Sequence, residues 1–328
     1  MRRLTLTYCL AALFMGANLT APALAAAPAW PTKPVTFVVP SAAGGSPDVL
    51  SRLITAQMAK ELGQPVVIEN RPGAAGNIGI AAIKRGAADG YTIGYGNINT
   101  LAVNQSLFKK LPYDVDKDLE PVAHMFDLYN VLIVPADSPA KSVADLIDMA
   151  RKNPGRMSYG APGVGTTGHM GGELFKSMAK LDVMFVPYNG GPAAIQDLLG
   201  GRIDYIFANS SEAGPLIQSG RVRALGVSSL KRLDLFPTVP TLDESGLKGY
   251  ETVSWGGVVA PKGTPANVVA AINDAVQHAL QNQDVRTGLA TMGAIPAAGS
   301  PDAFKQLIGR EAAKWKSIID NAKIEKLD

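Results

Sequence analysis

The feature that most constrains the fold is a repeated alternation of apolar runs, glycine-rich loops and amphipathic helical segments. In the first unit, Val35–Val39 predicts a buried strand, the loop 40–48 follows, and a helix with one apolar face runs to Gly63. A second strand is predicted at Pro65–Ile68. Because strand–helix–strand units of this kind form right-handed parallel crossovers, the pattern predicts an α/β protein.

The start and the end of this first helix are both marked in the sequence. Ser46 is predicted as the N-cap, Pro47 fits the first helical position, and Asp48 lies where the helix dipole favours an acid. Gly63 is predicted to end the helix, since glycine adopts the left-handed conformation of a C-cap at little cost. The helix is therefore expected between these two loops.

Two of the glycine-rich loops have the features of anion-binding sites. Residues 40–48 (PSAAGGSPD) and 161–169 (APGVGTTGH) each follow a strand-like run and open a helix, and neither contains Lys or Arg. A helix start offers unpaired N–H groups and about half a positive charge, and glycine lets a ligand approach the backbone closely. If both loops face one ligand, the anion is held by uncharged donors. Such a site suits a protein that must bind its ligand and later release it. The alternative is that both are ordinary strand-to-helix turns.

The pattern restarts near residue 131, which indicates a second sheet. Trp255–Pro261 is predicted to be a returning strand, after which the chain is helical to its end. The simplest arrangement builds domain I from residues 26–127 and 253–328 and domain II from residues 128–252. Ligands of open α/β sheets bind at strand ends, so the loops of the two domains are expected to face one cleft, and a two-strand hinge would let it close.

Residues 1–25 have the pattern of an export signal. A basic start with Arg2-Arg3 precedes the apolar run 4–17, and Ala23-Leu24-Ala25 is a small-x-small cleavage signal. The run is shorter than the roughly 20 residues that a membrane span requires. We therefore expect a periplasmic mature protein, exported by the general secretory route or, less in keeping with the residues after Arg3, by the twin-arginine route. Cys9 is the only cysteine, so the mature chain would lack disulfides.

The charge pattern argues against a polyanion partner. The chain has 31 basic and 28 acidic residues, and loss of the two arginines in residues 1–25 lowers the formal net charge from +3 to +1. The basic residues are dispersed, without a basic run or an aromatic platform, so nucleic-acid binding is not expected. A monomer is expected.

A series of ordered segments resembles the Bug family of extracytoplasmic solute-binding proteins, the receptors of tripartite tricarboxylate transporters. The resemblance covers essentially the whole mature sequence, and it is carried by segments 30–34 (WPTKP), 44–48 (GGSPD), 69–79 (ENRPGAAGNIG), 111–114 (LPYD), 169–175 (HMGGELF), 186–191 (VPYNGG), 239–241 (VPT) and 260–265 (APKGTP). It implies a two-domain periplasmic-binding-protein fold of the Venus-flytrap, type II-like kind, with a central mixed sheet flanked by helices in each domain. It also implies a small carboxylate ligand and delivery to a membrane permease; signalling to a membrane sensor kinase is the alternative.

By the same resemblance, backbone amides and ordered waters of the domain I loops hold the ligand carboxylate. The domain I candidates are Ser41, Ala42, Gly44, Gly45, Asp48, Ala75, Gly76 and Asn77. Asn97 is a further candidate because it follows a predicted strand whose end is expected at the cleft. The domain II candidates are Gly165, Thr166, Thr167, His169, Tyr188, Asn189, Gly190 and Asn209. Many relatives carry an aromatic residue where this chain has Ser41, so the ligand is not transferred from any relative.

Several candidates also have a structural interpretation. Asp48 could serve only as the acid of a helix start, because its charge would repel a nearby carboxylate. One of Thr166 and Thr167 is expected to cap a helix while the other contacts the ligand. Tyr188 is either a wall of the pocket or a core tyrosine, and Arg71, the nearest cation, is expected to be structural.

Enzyme and metal functions find little support in the sequence. Residues 163–168 match G-x-G-x-x-G, but no acid follows the next strand, 183–186, to bind a ribose. Neither a nucleophile elbow nor a phosphate-binding loop with its lysine occurs, and the three histidines are scattered. His169 and Glu173 lie one helical turn apart, but two residues are too few ligands for a metal site. We therefore expect no catalytic residue, cofactor or metal.

Overall fold

The computed structural model describes residues 30–321 and 324–328, which form a mixed α/β fold. The predicted export signal and Cys9 lie outside the described residues. Among the described residues, no helix is both long and apolar enough to cross a membrane.

The strands and helices alternate along most of the chain, as the sequence pattern predicts. The strands are β1 (Val35–Val39), β2 (Val66–Asn70), β3 (Thr92–Asn97), β4 (Leu119–Pro135), β5 (Ser158–Ala161), β6 (Met184–Pro187), β7 (Tyr205–Asn209), β8 (Val222–Val227), β9 (Val253–Pro261) and β10 (Ala294–Pro296). The helices are α1 (Ser46–Leu62), α2 (Asn77–Lys84), α3 (Asn104–Leu107), α4 (Val115–Asp118), α5 (Val143–Lys152), α6 (Thr167–Ala179), α7 (Gly191–Leu199), α8 (Ser210–Gln218), α9 (Ala266–Gln281), α10 (Gln283–Thr291) and α11 (Pro301–Asn321). A 3-10 turn at Ala74–Gly76 precedes α2, and a π-helical turn at Asn99–Val103 precedes α3.

The first lobe is built on the strand order β2-β1-β3-β9-β4, with β10 pairing β4. Strand β1 is parallel to β2 and β3, whereas β9 is antiparallel to β3 and β4. Helices α1, α9 and α10 cover one face, and α2, α3 and α11 cover the other. Coverage of both faces explains why β1 is apolar at every position except Thr36.

The second lobe is built on the strands β4, β7, β5 and β6, with β8 also pairing β4. Strand β5 is parallel to β6 and β7, and β4 is antiparallel to β7 and β8. Helices α5 and α6 pack on one face, and α7 and α8 pack on the other. The three parallel strands therefore end at one edge of this sheet, where α6, α7 and α8 begin.

Strand β4 passes from one lobe to the other. It pairs with β9 as far as Tyr129 and with β7 from Asn130 onward. The sequence predicts only its second part, from Val131 to Val134, because polar residues interrupt the apolar pattern of the first part. The domain boundaries near residues 127 and 253 stay a proposal, which this change of partner supports.

The start of α1 differs from the expectation. The prediction that Ser46 caps this helix is wrong: Gly45 is the N-cap, with an extended φ of −76° and ψ of 164°, and Ser46 is the first helical residue. No side chain caps this helix: Asp48 bonds the N–H of Gly44 in the preceding loop at 2.9 Å, and the Ser46 hydroxyl lies 2.8 Å from that of Ser211. The other end is as predicted, because Gly63 is a left-handed C-cap with φ of 64°.

Candidate functional site

Interlobe contacts bring the two sets of predicted loops face to face. The hydroxyl oxygens of Ser46 in α1 and Ser211 in α8 are 2.8 Å apart. At another point of the boundary, Nδ2 of Asn99 donates a hydrogen bond to the carbonyl oxygen of Gly165 at 2.8 Å. The strand-end loops of both lobes therefore enclose a cleft, and the lobes touch in this structure.

Backbone strain singles out the loop between β2 and α2. Four successive residues have positive φ: Gly73 (116°), Ala74 (46°), Ala75 (53°) and Gly76 (89°). For the two alanines this conformation costs on the order of 1 kcal/mol or more each, and such strain concentrates at functional sites. Gly76 is also required by packing, since a Cβ there would lie 2.7 Å from Cγ2 of Thr100.

Asn77 follows this loop, but its side chain points into the lobe. It is 4% exposed, and its Oδ1 accepts hydrogen bonds from Nδ2 of Asn104 at 2.7 Å and from the Tyr113 hydroxyl at 2.9 Å. Nδ2 of Asn104 also donates to the carbonyl of Ala75 at 3.2 Å. Asn77 can thus serve a ligand through its backbone, and Asn104, which sequence reasoning missed, supports the loop from behind.

The structure gives Asp48 a structural role in the first glycine-rich loop. The side chain accepts hydrogen bonds from the N–H of Gly44, from Asn70 and from Arg52, and Asn70 also donates to the carbonyl of Ser41 at 3.1 Å. Burial raises the pKa of Asp48, but the hydrogen bonds from Arg52, Gly44 and Asn70 outweigh burial and hold that pKa below its usual value. The carboxylate is therefore ionised and neutralised by Arg52 at 3.0 Å, so its repulsion of a ligand carboxylate is weakened.

The rest of this loop is partly exposed. Ala42 and Gly44 are exposed, and Gly45 is half-buried. The Ser41 hydroxyl oxygen is buried and has no hydrogen-bond partner among the described residues. The Ser41 hydroxyl is therefore left for a ligand, whereas the N–H of Gly44 is already bonded to Asp48.

Asn97 also has a local partner. Its Oδ1 accepts hydrogen bonds from the backbone N–H and the hydroxyl of Thr100, both at 3.0 Å. Asn97 thus bonds the start of the π-helical turn that follows β3. Whether it also contacts a ligand stays a prediction.

In the second lobe, Thr166 is the N-cap of α6. Its hydroxyl accepts from the N–H of His169 at 3.3 Å and donates to the carbonyl of Gly163 at 2.8 Å. Thr167 is the first helical residue and does not cap the helix. Of the two threonines, Thr167 is therefore the candidate for ligand contact.

His169 is buried behind the same loop. It is 4% exposed, its Nδ1 accepts a hydrogen bond from the N–H of Gly165 at 3.1 Å, and its ring lies 4.1 Å from that of Phe185 between centroids. Burial lowers the pKa of His169 to about 4, so the imidazole is neutral at physiological pH. Its role in the structure is to hold the Gly165 peptide in place.

Tyr188 is half-buried, with its hydroxyl donating to Oδ2 of Asp197 at 2.9 Å. Asp197 in turn pairs with Arg202 at 2.6 Å. Asn189 is exposed, and Gly190 is the N-cap of α7 with φ of 102°. The three predicted residues thus form the loop that leads into α7.

Asn209 lies at the boundary of the lobes. Its Oδ1 accepts a hydrogen bond from Nδ2 of Asn130 at 3.2 Å, and its own Nδ2 lies 3.5 Å from the Ser46 hydroxyl across the cleft. Because Asn130 fixes the orientation of the amide, Asn209 presents a donor toward the first lobe. Neither Ser46 nor Asn130 was identified as a site residue from the sequence.

Glu212 is a further residue that sequence reasoning missed. It lies in the first turn of α8, and a Cβ at Gly191 would be 2.5 Å from its Oε1. Burial raises its pKa to about 7, opposed by a hydrogen bond from the N–H of Asn209. Only its position five residues after the strand-like run 203–207 could have drawn attention to it.

The remaining candidates for chemistry are engaged elsewhere or dispersed. Arg71 pairs with Glu69 at 2.7 Å, and Glu173 bonds the Tyr159 hydroxyl and Lys176. Within residues 30–321 and 324–328, no three His, Cys, Asp or Glu side chains are grouped so as to hold a metal ion.

Two surface cavities, of about 350 and 400 Å³, also exist, but neither is lined from both sides of the cleft. The larger is lined only by residues of the second lobe, among them Lys141 and Ser245. The smaller lies on the first lobe and is lined by Ala74 of the strained loop, by Asn77 and other residues of α2, and by Asp328. The convergence of strand-end loops therefore identifies the interlobe cleft, and not these cavities, as the candidate site.

Comparison with known proteins decides the family. Residues 50–324 match the family model described as "Tripartite tricarboxylate transporter family receptor". The chain belongs to this family. It is 35% identical to Protein BugT of Bordetella pertussis, over 88% of this chain and 89% of that protein.

Solved structures of receptors share the fold over nearly their full length. The Rhodopseudomonas palustris protein Rpa4515, solved with adipate, is 38% identical with a TM-score of 0.87, over 91% of this chain and 100% of that one. MatC from the same organism, solved with bound malate, is 35% identical with a TM-score of 0.82, over 88% and 100%. The chain is thus a Bug-type receptor with a two-lobed periplasmic-binding-protein fold.

Proposed function

We propose that the protein is a periplasmic receptor that binds a small carboxylate-containing molecule between its lobes and delivers it to the permease of a tripartite tricarboxylate transporter. The observation that carries the proposal is the convergence on one cleft of the strained loop 73–76, the open loop 41–45 and the start of α6. Loops of both lobes offer uncharged donors there. The ligand is bound and not chemically changed.

The charges around the cleft support capture by neutral donors. Two cations beside the first-lobe loops are already paired, Arg52 with Asp48 and Arg71 with Glu69. Helices α1, α2 and α6 all begin at the cleft, and a helix start is favourable for an anion even without a basic side chain. Binding by these helix starts forms no ion pair with a basic side chain, so a receptor can release the carboxylate again.

Two relatives support the ligand class. Rpa4515 was solved with adipate and MatC with malate, and both share more than a third of their residues with this chain. Among the site residues predicted from the sequence, we assign Ser41, Thr167 and Asn209 as the side-chain donors to the ligand. Asp48, Asn77, Asn97, Thr166 and His169 position the loops.

The proposed location and delivery rest on the family and on the sequence of residues 1–25. That segment would direct export and be removed, which leaves residues 26–328 as the receptor. A deletion strain that no longer takes up the identified ligand would support the transport role.

A thermal-shift panel on residues 26–328 tests the proposal. The panel contains adipate, malate, succinate, tricarboxylates and aromatic acids, each beside its amide as a matched control. A ligand at about 100 times its Kd adds roughly 2.7 kcal/mol to the free energy of unfolding. We expect at least one acid, and not its amide, to raise the melting temperature; a panel with no shift, or turnover of any member, would overturn the proposal.

A further inference from the structure

Glu212 is an acidic side chain at the cleft that carboxylate capture does not use. It follows Ser211, whose hydroxyl contacts Ser46 of the other lobe at 2.8 Å. Its two carboxyl oxygens lie 2.5 and 2.6 Å from the position of a Cβ on Gly191, the first residue of α7. The carboxyl group thus lies between the starts of α7 and α8, at the edge of the sheet that faces the first lobe.

The other acids around the cleft have a cationic partner, whereas Glu212 has none among the described residues. Asp48 pairs with Arg52, Glu69 with Arg71 and Asp197 with Arg202. Burial raises the pKa of Glu212 to about 7, and the one group that opposes this is the N–H of Asn209. A partly buried carboxyl group without a cation is costly to ionise unless a partner reaches it.

The position of Glu212 also divides the cleft by charge. The helix starts of α7 and α8 already face the protein's own carboxyl group, so a ligand carboxylate is disfavoured beside them. The starts of α1, α2 and α6 remain available to a ligand anion. A ligand that spans the cleft therefore meets anion-binding loops at one end and an acid at the other.

We propose that Glu212 binds a hydrogen-bond-donating substituent of the ligand, an ammonium or a hydroxyl group, and so selects amino or hydroxy acids over the corresponding unsubstituted acids. The inference rests on the proposed function, because it requires the ligand to lie in the cleft. An ammonium group supplies the missing cation, and a hydroxyl group supplies a donor.

Isothermal titration of residues 26–328 with matched acids tests this role. The sets share a carbon chain and differ only in the substituent: succinate, malate and aspartate; glutarate, 2-hydroxyglutarate and glutamate; adipate and 2-aminoadipate. For the chain length that binds, we expect the wild type to prefer a substituted acid by at least tenfold. Glu212→Gln should lower this preference at least tenfold while affinity for the unsubstituted acid stays the same or rises.

Two further variants complete the test. Glu212→Asp retracts the carboxyl group by one methylene and should also weaken binding of the substituted acid. Glu244→Gln removes a carboxylate of the same lobe that pairs with Arg232, outside the cleft, and should leave the preference unchanged. Circular dichroism and the melting temperature without ligand verify that each variant folds.

The outcomes separate the two proposals. A wild type that prefers the unsubstituted acid, or a Glu212→Gln variant that keeps the wild-type preference, overturns the role of Glu212 and leaves carboxylate capture intact. A wild type that binds no acid of these sets overturns the role of Glu212, and carboxylate capture is overturned with it only if the thermal-shift panel also shows no shift.

Discussion

At the scale of single residues, backbone conformation and hydrogen bonding prepare the cleft before a ligand arrives. Ala74 and Ala75 hold left-handed conformations with φ of 46° and 53°, and Asn104 holds the Ala75 carbonyl from behind. Asp48 fixes the neighbouring loop through Gly44, Asn70 and Arg52. The sequence alone could not decide the role of Asp48, because its partner Asn70 lies at the end of β2, 22 residues further along the chain.

Alanine substitutions at two glycines distinguish the effect of backbone strain from the effect of lost ligand contact. Gly44 in the cleft loop has φ of 80°, Gly63 at the end of α1 has φ of 64°, and a Cβ at either would have no neighbour within 4 Å. Gly44→Ala and Gly63→Ala should therefore each lower the free energy of unfolding by about 1 kcal/mol in urea titrations. Only Gly44→Ala should weaken ligand binding, by about tenfold or more. Equal affinities in the two variants would contradict the assignment of this loop to the ligand.

His169 makes stability depend on pH. Its pKa in the folded protein is about 4, below the value of 6.5 for a free imidazole, so between these values the unfolded chain binds more protons. Its contribution to stability is therefore present above about pH 6.5 and is lost as the pH falls toward 4, by on the order of 3 kcal/mol. The difference in unfolding free energy between wild type and His169→Gln should shrink across this window. A difference independent of pH would show that the imidazole is not held neutral.

At the scale of helices and strands, local signals predicted most of the elements. Gly63 ends α1 as predicted, and Ser142 caps α5, a position that serine favours. Ser46 is not the cap that the sequence predicts, because the helix begins one residue earlier, with Gly45 as the N-cap, and Ser46 contacts Ser211 of the other lobe. The first part of β4 was missed because Glu120, His124 and Asp127 interrupt its apolar pattern.

Two helix caps of the second lobe give a matched test of the α6 start. Thr166 caps α6 at the cleft, and Ser142 caps α5 through the N–H of Asp145 at 3.1 Å. Thr166→Ala and Ser142→Ala should each cost about 1 kcal/mol of unfolding free energy. Of these two variants, only Thr166→Ala should weaken ligand binding. Thr166→Ser keeps the capping hydroxyl and should bind the ligand as the wild type does. If Ser142→Ala weakened binding as much, the effect would be one of general stability and not of the α6 start.

At the scale of the whole molecule, the two lobes are joined by β4 and β9 and touch across the cleft. The restart of the strand–helix pattern predicted two lobes with facing loops. It could not predict which residues meet, since Asn99 bonds Gly165 across 66 residues of sequence and Ser46 meets Ser211 across 165. Such pairs depend on how the lobes close, which no local pattern encodes. Glu212 escaped prediction for the same reason, because its neighbour Gly191 belongs to another helix.

The central claim is that uncharged helix starts of both lobes capture a carboxylate. The most direct test is isothermal titration calorimetry on residues 26–328. One titration uses the acid that gives the largest thermal shift, and the other uses the same molecule with a primary amide in place of the carboxylate. We predict a micromolar or tighter Kd for the acid, on the order of −8 kcal/mol, and binding at least a hundredfold weaker for the amide. An amide that binds as tightly as the acid would contradict the claim.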